Sequence, residues 1–364
     1  MTLPEPIGPQ RVDKSPVGYA EWLVEVKVRV RAARYRANRA ANAEVIRLYW
    51  SIGRDIVDRQ ERLGWGAKVI DRLSADLRRE FVGQQGWSPT NLKYMRVMAN
   101  AWPDLSAIGP HVVDQLPWGH VRVLLDKLSA RSDRDWYASE AIANGWSRDV
   151  LAFQIMSDLR SRLGSAPSNF DATLAGPDSD QAQQMTKDPY RFELQGLTSL
   201  ATERELEDAL MDRVQATLLE LGRGIAFVGR QVRFTVDGQD HWVDLLMFHT
   251  EQLRYIVIEL KVGDFSPSQL GQLGTYVVMV DDLLRKPEIH APTIGLLLCS
   301  GKRESIVRYS LASTAAPVAV ADWQRLPDDV RAALPNAEEL EAVIHDEMAQ
   351  RAVEASEGPT VSWP

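Results

Sequence analysis

The spacing of apolar positions changes about half-way along the chain, and with it the kind of element predicted. Leu23, Val26, Val30, Ala33, Ala37 and Ala40 recur at alternating steps of three and four, which lays one apolar stripe along a long helix. Such a stripe has to be covered. Arg29, Arg31, Arg34, Arg36 and Arg39 fall on the other faces of that helix, where they form either a solvated surface or a row able to track phosphates. VIDRLSADLRREF reads as a second helix and VGQQGW as a turn, with Ser88 as an N-cap and Pro89 in the first helical turn that follows. In TNLKYMRVMANAW the spacing sends Leu92, Met95, Ala99 and Trp102 inward and leaves Lys93, Arg96 and Asn100 on an outer face. That is the layout of a helix-turn-helix reading helix, and equally of a helical hairpin with a polar surface.

From Leu163 to about Asp188 the residues are small, polar and turn-forming, with no sustained apolar period. The pattern therefore predicts a disordered start over 1–17, an all-helical domain over 18–163, a linker over 164–188, a second domain over 189–349 and a loose tail over 350–364.

In the second half the period shortens to two. A helix over about 203–221 precedes three strand-like runs, FVGRQVRFTV, HWVDLLMFH and RYIVIELKV, the first two joined at Asp237-Gly238, a strong hairpin signal. A helix from Pro267 to about Leu284 follows, and then the strand TIGLLLCS. The order is α-β-β-β-α-β, and the last strand must return through a helical crossover, so the domain is α/β with a mixed sheet.

Composition narrows the chemistry. With 364 residues there is room for two domains, each with a sizeable core. No run approaches the roughly 18 apolar residues that span a bilayer, and MTLPEPIGPQRVDKSP holds no apolar leader core, so a cytoplasmic protein without a membrane partner is expected. A single cysteine, Cys299, excludes internal disulfides and cysteine-rich zinc sites. The six histidines form no metal-binding spacing, which leaves oxygen ligands and a hard cation such as Mg²⁺ or Mn²⁺. Residues 1–164 hold 25 Lys and Arg against 19 Asp and Glu, and residues 165–364 hold 17 against 31. A basic half joined to an acidic one points to a polyanion meeting the first.

The acidic half holds the candidate chemistry. In the run from Tyr255 to Val262, Val257, Glu259 and Lys261 share one face of a strand that is apolar on both sides at its start. Ionic groups there cost several kcal/mol unless partners compensate them. If the preceding hairpin is centred on the Glu251/Gln252 peptide, Asp244 lies directly across from Glu259. Two converging carboxylates without a histidine or cysteine suit a divalent cation, and Lys261 on the same side suits a developing phosphate charge. Glu207 on the preceding helix, with Glu203 in reserve, is placed to reach that metal. Gln272 and Tyr276, four apart on the crossover helix, share a face and are placed to hold the nucleic-acid strand or the nucleophile.

Together, Glu207, Asp244, Glu259-Leu-Lys261 and Gln272-xxx-Tyr276 in this element order resemble the PD-(D/E)XK nuclease superfamily, the last element being similar to its RecB-like branch. Val243 stands where the superfamily's name has proline. More closely, the chain resembles the YhcG-like bacterial family through YWSIGRDIV, GWSPTNLKYMR and LPWGHVRVLLDKL, then DPYRFELQGL, ELEDAL, FVGRQ, DLLMFH, IELKVGDFSP and PTIGLLLC. The resemblance implies a restriction-endonuclease-like domain that cleaves nucleic acid, usually DNA, with Mg²⁺, joined to a helical domain that binds DNA.

The expectation is then a two-domain nuclease with Asp244, Glu259 and Glu207 as metal ligands, Lys261 assisting the water, and Gln272 and Tyr276 positioning substrate. Lys93, Arg96, Asn100, Arg29, Arg31, Arg34 and Arg36 are the candidate nucleic-acid contacts, and the uncovered stripe from Leu23 points to a homo-oligomer. Two other readings fit the residues: a non-catalytic nucleic-acid-binding or assembly protein on a nuclease fold, and a metal-dependent phosphotransfer enzyme acting on small substrates.

Overall fold

The computed structural model describes residues 19–64, 68–103, 112–194 and 202–327, together with Val330. The segments expected to be disordered, 1–17 and 350–364, lie outside the described residues. The chain divides into two compact units that part between Val121 and Arg122.

The first unit is helical: α1 (Tyr19–Leu63), α2 (Lys68–Glu80), α3 (Pro89–Ala101), a short 3-10 turn at Val112–Gln115, and the start of α4 (Trp118–Lys127). Its core gathers Ile56, Ile70, Trp87, Leu92 and Met95, with Tyr49, Ile52, Leu73 and Trp118 around them. α1 and α3 touch backbone to backbone at Gly53, where a Cβ would lie 2.0 Å from the Met95 carbonyl oxygen. α3 starts as its sequence predicts, with the Ser88 side chain accepting from the Asn91 N–H and Pro89 in the first turn. Leu92, Met95, Ala99 and Trp102 are all buried. The stripe on α1 behaves differently. Leu23 and Val26 are half-buried, but Val30, Ala33, Ala37 and Ala40 are exposed, and among the described side chains of this helix the first fully buried one is Ile46.

The second unit opens with α5 (Arg131–Ala143), α6 (Arg148–Met156), α7 (Leu159–Arg162), α8 (Phe170–Thr173), α9 (Gly176–Met185) and β1 (Tyr190–Phe192). There follow α10 (Glu203–Asp212), α11 (Val214–Leu221), β2 (Ile225–Val236), β3 (Gln239–His249), β4 (Arg254–Leu260), α12 (Pro267–Leu283), β5 (Ile294–Cys299), α13 (Glu304–Ala312) and β6 (Val318–Arg325). The six strands make one sheet in the order β1-β6-β5-β4-β3-β2. β2, β3 and β4 are antiparallel neighbours, while β4, β5, β6 and β1 run parallel, which is the mixed sheet that the helical crossover demands. Asp237 and Gly238 both take positive φ, 51° and 77°, as a two-residue hairpin turn requires. No helix among the described residues is long and apolar enough to cross a membrane.

Both faces of the sheet are covered. Leu206 and Leu210 of α10 join Leu245, Ile256, Ile258 and Leu260 on one side. Leu270, Leu273, Val277 and Val280 of α12 meet Leu246, Val257, Leu297 and Val320 on the other. β4 is therefore the central, doubly buried strand that its sequence implies.

Three expectations are corrected. The linker placed at 164–188 is folded: it forms α8 and α9, and Phe170 and Ala182 are fully buried in the sheet's core. Its apolar residues are too sparse to show a period, yet Ala166, Phe170, Ala182 and the half-buried Met185 all belong to that cluster. Nor does the helical half end at 163 as a separate body, because α6 packs with the sheet unit through Phe153 and Met156 against Leu219, Leu326 and Val330. The helix over 203–221 breaks at Arg213, whose φ of −122° and ψ of 40° leave the helical region. Beyond the predicted strands, β1 and β6 extend the sheet. β1 is only three residues long, and β6 alternates valine with alanine, which weakens the signal of a strand.

Candidate active site

α10 is fixed at its start by a reciprocal cap: Thr202 accepts from the Glu205 N–H and Glu205 accepts from the Thr202 N–H. This sets Glu203 and Glu207, one turn apart, on the side facing the sheet's charged residues. Opposite them, β3 and β4 pair in register down to Leu245 and Ile258, so Asp244 and Glu259 are the next opposed pair, as the hairpin symmetry predicts. There the ladder stops. The Asp244 carboxylate takes over, its Oδ2 accepting the Leu260 N–H at 2.8 Å.

On its other side Asp244 meets β2. Gln231 lies between the pairs Arg230–Leu245 and Val232–Val243, hence opposite Asp244. Its Nε2 donates to Asp244 Oδ1 at 3.1 Å and to Glu207 Oε1 at 2.7 Å. Lys261 Nζ lies 3.0 Å from Glu259 Oε1 and 3.3 Å from Glu203 Oε2. The Lys261 backbone is clamped too, its N–H donating to the Leu298 carbonyl and its carbonyl accepting from the Trp323 indole. Six of the site's side chains thus form two linked groups, Glu207–Gln231–Asp244 and Glu203–Lys261–Glu259.

Gln272 and Tyr276 stand apart from these groups. The Gln272 amide donates to the Tyr276 hydroxyl at 3.0 Å, and Tyr276 is buried beside Val243 and Val257 with the His241 ring edge-on to it. Among the described residues neither hydrogen-bonds to the carboxylates. In the first unit, Lys93, Asn100 and Arg29 are exposed, while Arg96 is half-buried and donates to Gln60 Oε1 at 3.2 Å. The side chains of Arg31, Arg34 and Arg36 lie outside the described residues.

Burial governs the electrostatics. Glu259, 1% exposed, and Glu207, 3% exposed, are each pushed up to about 7, first by loss of water and second by the Asp244 charge. Asp244 is also raised by burial, against the pull of the Leu260 N–H and Lys261. Lys261 titrates above the ordinary lysine range because Glu259 and Glu203 together outweigh the burial that opposes its charge.

The donor chemistry suits a hard cation. Glu259 Oε2 and Glu207 Oε2 are buried and have no hydrogen-bond partner, a costly arrangement that a cation would relieve. Among the described residues no three Asp, Glu, His or Cys side chains form a closed cage for an ion. An open site on two carboxylates is the pattern of Mg²⁺, which keeps waters and substrate oxygens in its remaining positions. Asp244 and Glu259 fit as that pair.

One residue of the site, Gln231, escaped the reading of the sequence. FVGRQ stood out as a motif, but a glutamine in a strand carries no chemical signal until its cross-strand partner is known.

Residues 183–337 match the family model for the YhcG PDDEXK nuclease domain, and residues 25–162 match the DUF1016 N-terminal domain. Over 346 residues the chain is 31% identical to "Putative nuclease YhcG" of Escherichia coli (strain K12), covering 84% of this chain and 90% of that one. Among solved structures it is similar to a repair endonuclease from Pyrococcus abyssi, with 16% identity, 35% of this chain and 47% of that one covered, and a TM-score of 0.24. A second, the EndoMS–dsDNA2 complex, gives 16% identity, 39% and 50% coverage, and a TM-score of 0.25; the chain spans about half of either structure. By its identity to the Escherichia coli relative over nine-tenths of that protein, the chain belongs to the YhcG family, and its second unit carries that family's PDDEXK nuclease domain.

Proposed function

We propose that this protein is a metal-dependent nuclease that hydrolyses phosphodiester bonds in DNA, with Mg²⁺ or Mn²⁺ held by Asp244 and Glu259 and with Glu207 as a further acidic ligand. One observation carries the reading: two opposed carboxylates sit where the β3–β4 ladder ends, and the buried Glu259 keeps one oxygen without a partner while its other oxygen meets Lys261. A divalent cation bound there supplies a Lewis acid for a phosphate oxygen and an acidified water. Asp244 would hold it with Glu259 while its Oδ2 accepts the Leu260 N–H at the end of the ladder. Lys261, fixed at its backbone on both sides, presents a compact positive charge to the attacking water or to the phosphate oxygens. Gln272 and Tyr276, joined by their hydrogen bond, form a polar edge on α12 for holding the strand. The helical first unit contributes binding through Lys93, Arg96, Asn100 and Arg29, and the exposed stripe on α1 serves self-association into a homo-oligomer.

The test is a cleavage panel of single-stranded, duplex, forked and four-way DNA and of RNA, each with Mg²⁺, Mn²⁺ or EDTA, run beside Asp244→Ala. Cleavage of at least one DNA that EDTA and Asp244→Ala both abolish is the expected result. A wild-type protein that binds DNA but cleaves nothing under any metal would replace this reading with that of a binding or assembly protein.

A further inference from the structure

Gln231 combines two features that neither the strand nor the core explains. Its φ is +46°, in the left-handed region that disfavours a residue with a side chain, although β2 and β3 stay in register on either side of it. The irregularity of β2 lies elsewhere, at Val228 between Phe227 and Gly229. A carboxamide NH₂ has two hydrogens to donate, and Gln231 spends both on carboxylates, Glu207 Oε1 at 2.7 Å and Asp244 Oδ1 at 3.1 Å. Each of those carboxylates belongs to a different element, α10 or β3, and Gln231 is the hydrogen-bonded bridge between them. Strain held by a surrounding that needs the side chain is the mark of a functional constraint.

We infer that Gln231 is a positioning residue: its amide bridges Glu207 and Asp244 so that the helix-borne carboxylate is held at the metal end of the β3–β4 ladder. This rests on the metal-site reading above. The bridge occupies Glu207 Oε1 and Asp244 Oδ1 and leaves Glu207 Oε2 without a partner, so it fixes which oxygen of the helix-borne carboxylate would be offered to a cation. Partners that orient ligands in this way are worth roughly 10- to 100-fold in metal affinity.

Glycine separates the side chain's role from the backbone's. Gln231→Gly relieves the left-handed strain and removes the bridge, whereas Gln231→Ala removes the bridge and keeps the strain. The full-length protein and both variants would be titrated with Mn²⁺ by calorimetry and melted in EDTA. The expected result is Mn²⁺ affinity weakened roughly 10- to 100-fold in both variants, with Gln231→Gly melting at or above the wild type and Gln231→Ala below Gln231→Gly. A loss of affinity without a loss of stability is what a merely structural residue would not give. If either variant binds Mn²⁺ within twofold of the wild type, the positioning role is wrong while the metal site stands. If the wild type itself binds no Mn²⁺, the metal site falls and the inference with it.

Discussion

Asp244 closes the β3–β4 ladder with its side chain: the carboxylate accepts the Leu260 N–H at 2.8 Å, one step beyond the last backbone pair at Leu245 and Ile258. A proposed metal ligand is therefore also a structural acceptor, and two substitutions separate these roles. Asp244→Asn keeps an oxygen for the Leu260 N–H, whereas Asp244→Ala leaves that donor unsatisfied, at a cost of roughly 1–3 kcal/mol. Both should lose Mn²⁺ binding and cleavage. In urea denaturation with EDTA, Asp244→Ala should be less stable than Asp244→Asn by about 1–2 kcal/mol. Equal stabilities would show that the carboxylate does not close the ladder.

Lys261 should fail differently. Its ammonium lies 3.0 Å from Glu259 Oε1, so it competes with a cation for that carboxylate while helping the reacting water or phosphate. Lys261→Met should keep or tighten Mn²⁺ binding and lower turnover by at least roughly 10²-fold, the scale of a lost electrostatic stabiliser. Calorimetry beside single-turnover cleavage reads both quantities. Loss of metal binding to the extent seen in Asp244→Ala would mean that Lys261 holds the site together instead of serving the chemistry.

The protonation of Glu207 and Glu259 sets a pH dependence whose sign is fixed. Both titrate near 7 in the fold, above their ordinary range, because burial and then Asp244 disfavour their charge. The folded protein therefore holds protons that the unfolded chain has released. That contribution is complete below the ordinary glutamate range and is lost as pH rises through about 7. Metal-free protein should melt at a lower temperature at pH 8 than at pH 5.5. A cation displaces those protons, so Mn²⁺ affinity should rise across the same window, with proton release visible as a dependence of the binding heat on the buffer. Affinity flat across this range would remove the two glutamates from the site.

How much of this was legible in the sequence depends on distance along the chain. Asp244 and Glu259 could be aligned because a single hairpin joins them, and its symmetry needs no tertiary knowledge. Leu92, Met95, Ala99 and Trp102 could be sent inward by period alone. Gln231 could not be assigned, since its bond to Glu207 depends on where α10 crosses the sheet. The Gln272–Tyr276 pair was expected to share a face and does, but the spacing gave no hint that its hydrogen bond would be internal. The segment after Leu163 was misread for a different reason. Its role lies in a few anchors, Phe170 and Ala182 in the core and Lys187 buried beside Glu220, which also holds Arg162. Isolated anchors leave no periodicity.

Those anchors make the difference between linker and core measurable. Phe170 is 1% exposed in the core beneath the sheet, so Phe170→Ala should cost roughly 3–5 kcal/mol, as for other buried phenylalanines. Glu220→Ala strands the buried Arg162 guanidinium and should cost a similar roughly 3–5 kcal/mol. Replacing 168–182 by a Gly-Ser chain of equal length should abolish cooperative unfolding. A true linker would tolerate all three changes within about 0.5 kcal/mol, the range of ordinary surface substitutions.

Nucleic-acid affinity assigned to the first unit needs point variants, because Phe153 and Arg162 of the helical half pack into the sheet unit and a cut at 164 would expose both. Lys93 and Asn100 are exposed on α3, and Arg96 between them is tied to Gln60 Oε1 at 3.2 Å. If this face meets phosphates, each lysine or arginine removed should weaken binding and flatten the dependence of log affinity on log salt by about 0.7–0.9, the counterions released per contact on single strands or duplex. Lys93→Ala should show the full decrement, since its ammonium is free to turn toward a phosphate. Arg96→Ala should show less, because part of its donor capacity is already spent within the fold. Cleavage of a short duplex at saturating concentration should survive both changes, as neither touches the carboxylates. Anisotropy titrations of Lys93→Ala and Arg96→Ala across about 50–200 mM salt would give the slopes. Slopes unchanged from the wild type in both variants would place the binding face elsewhere and leave α3 as a packed helix with an ordinary solvated surface.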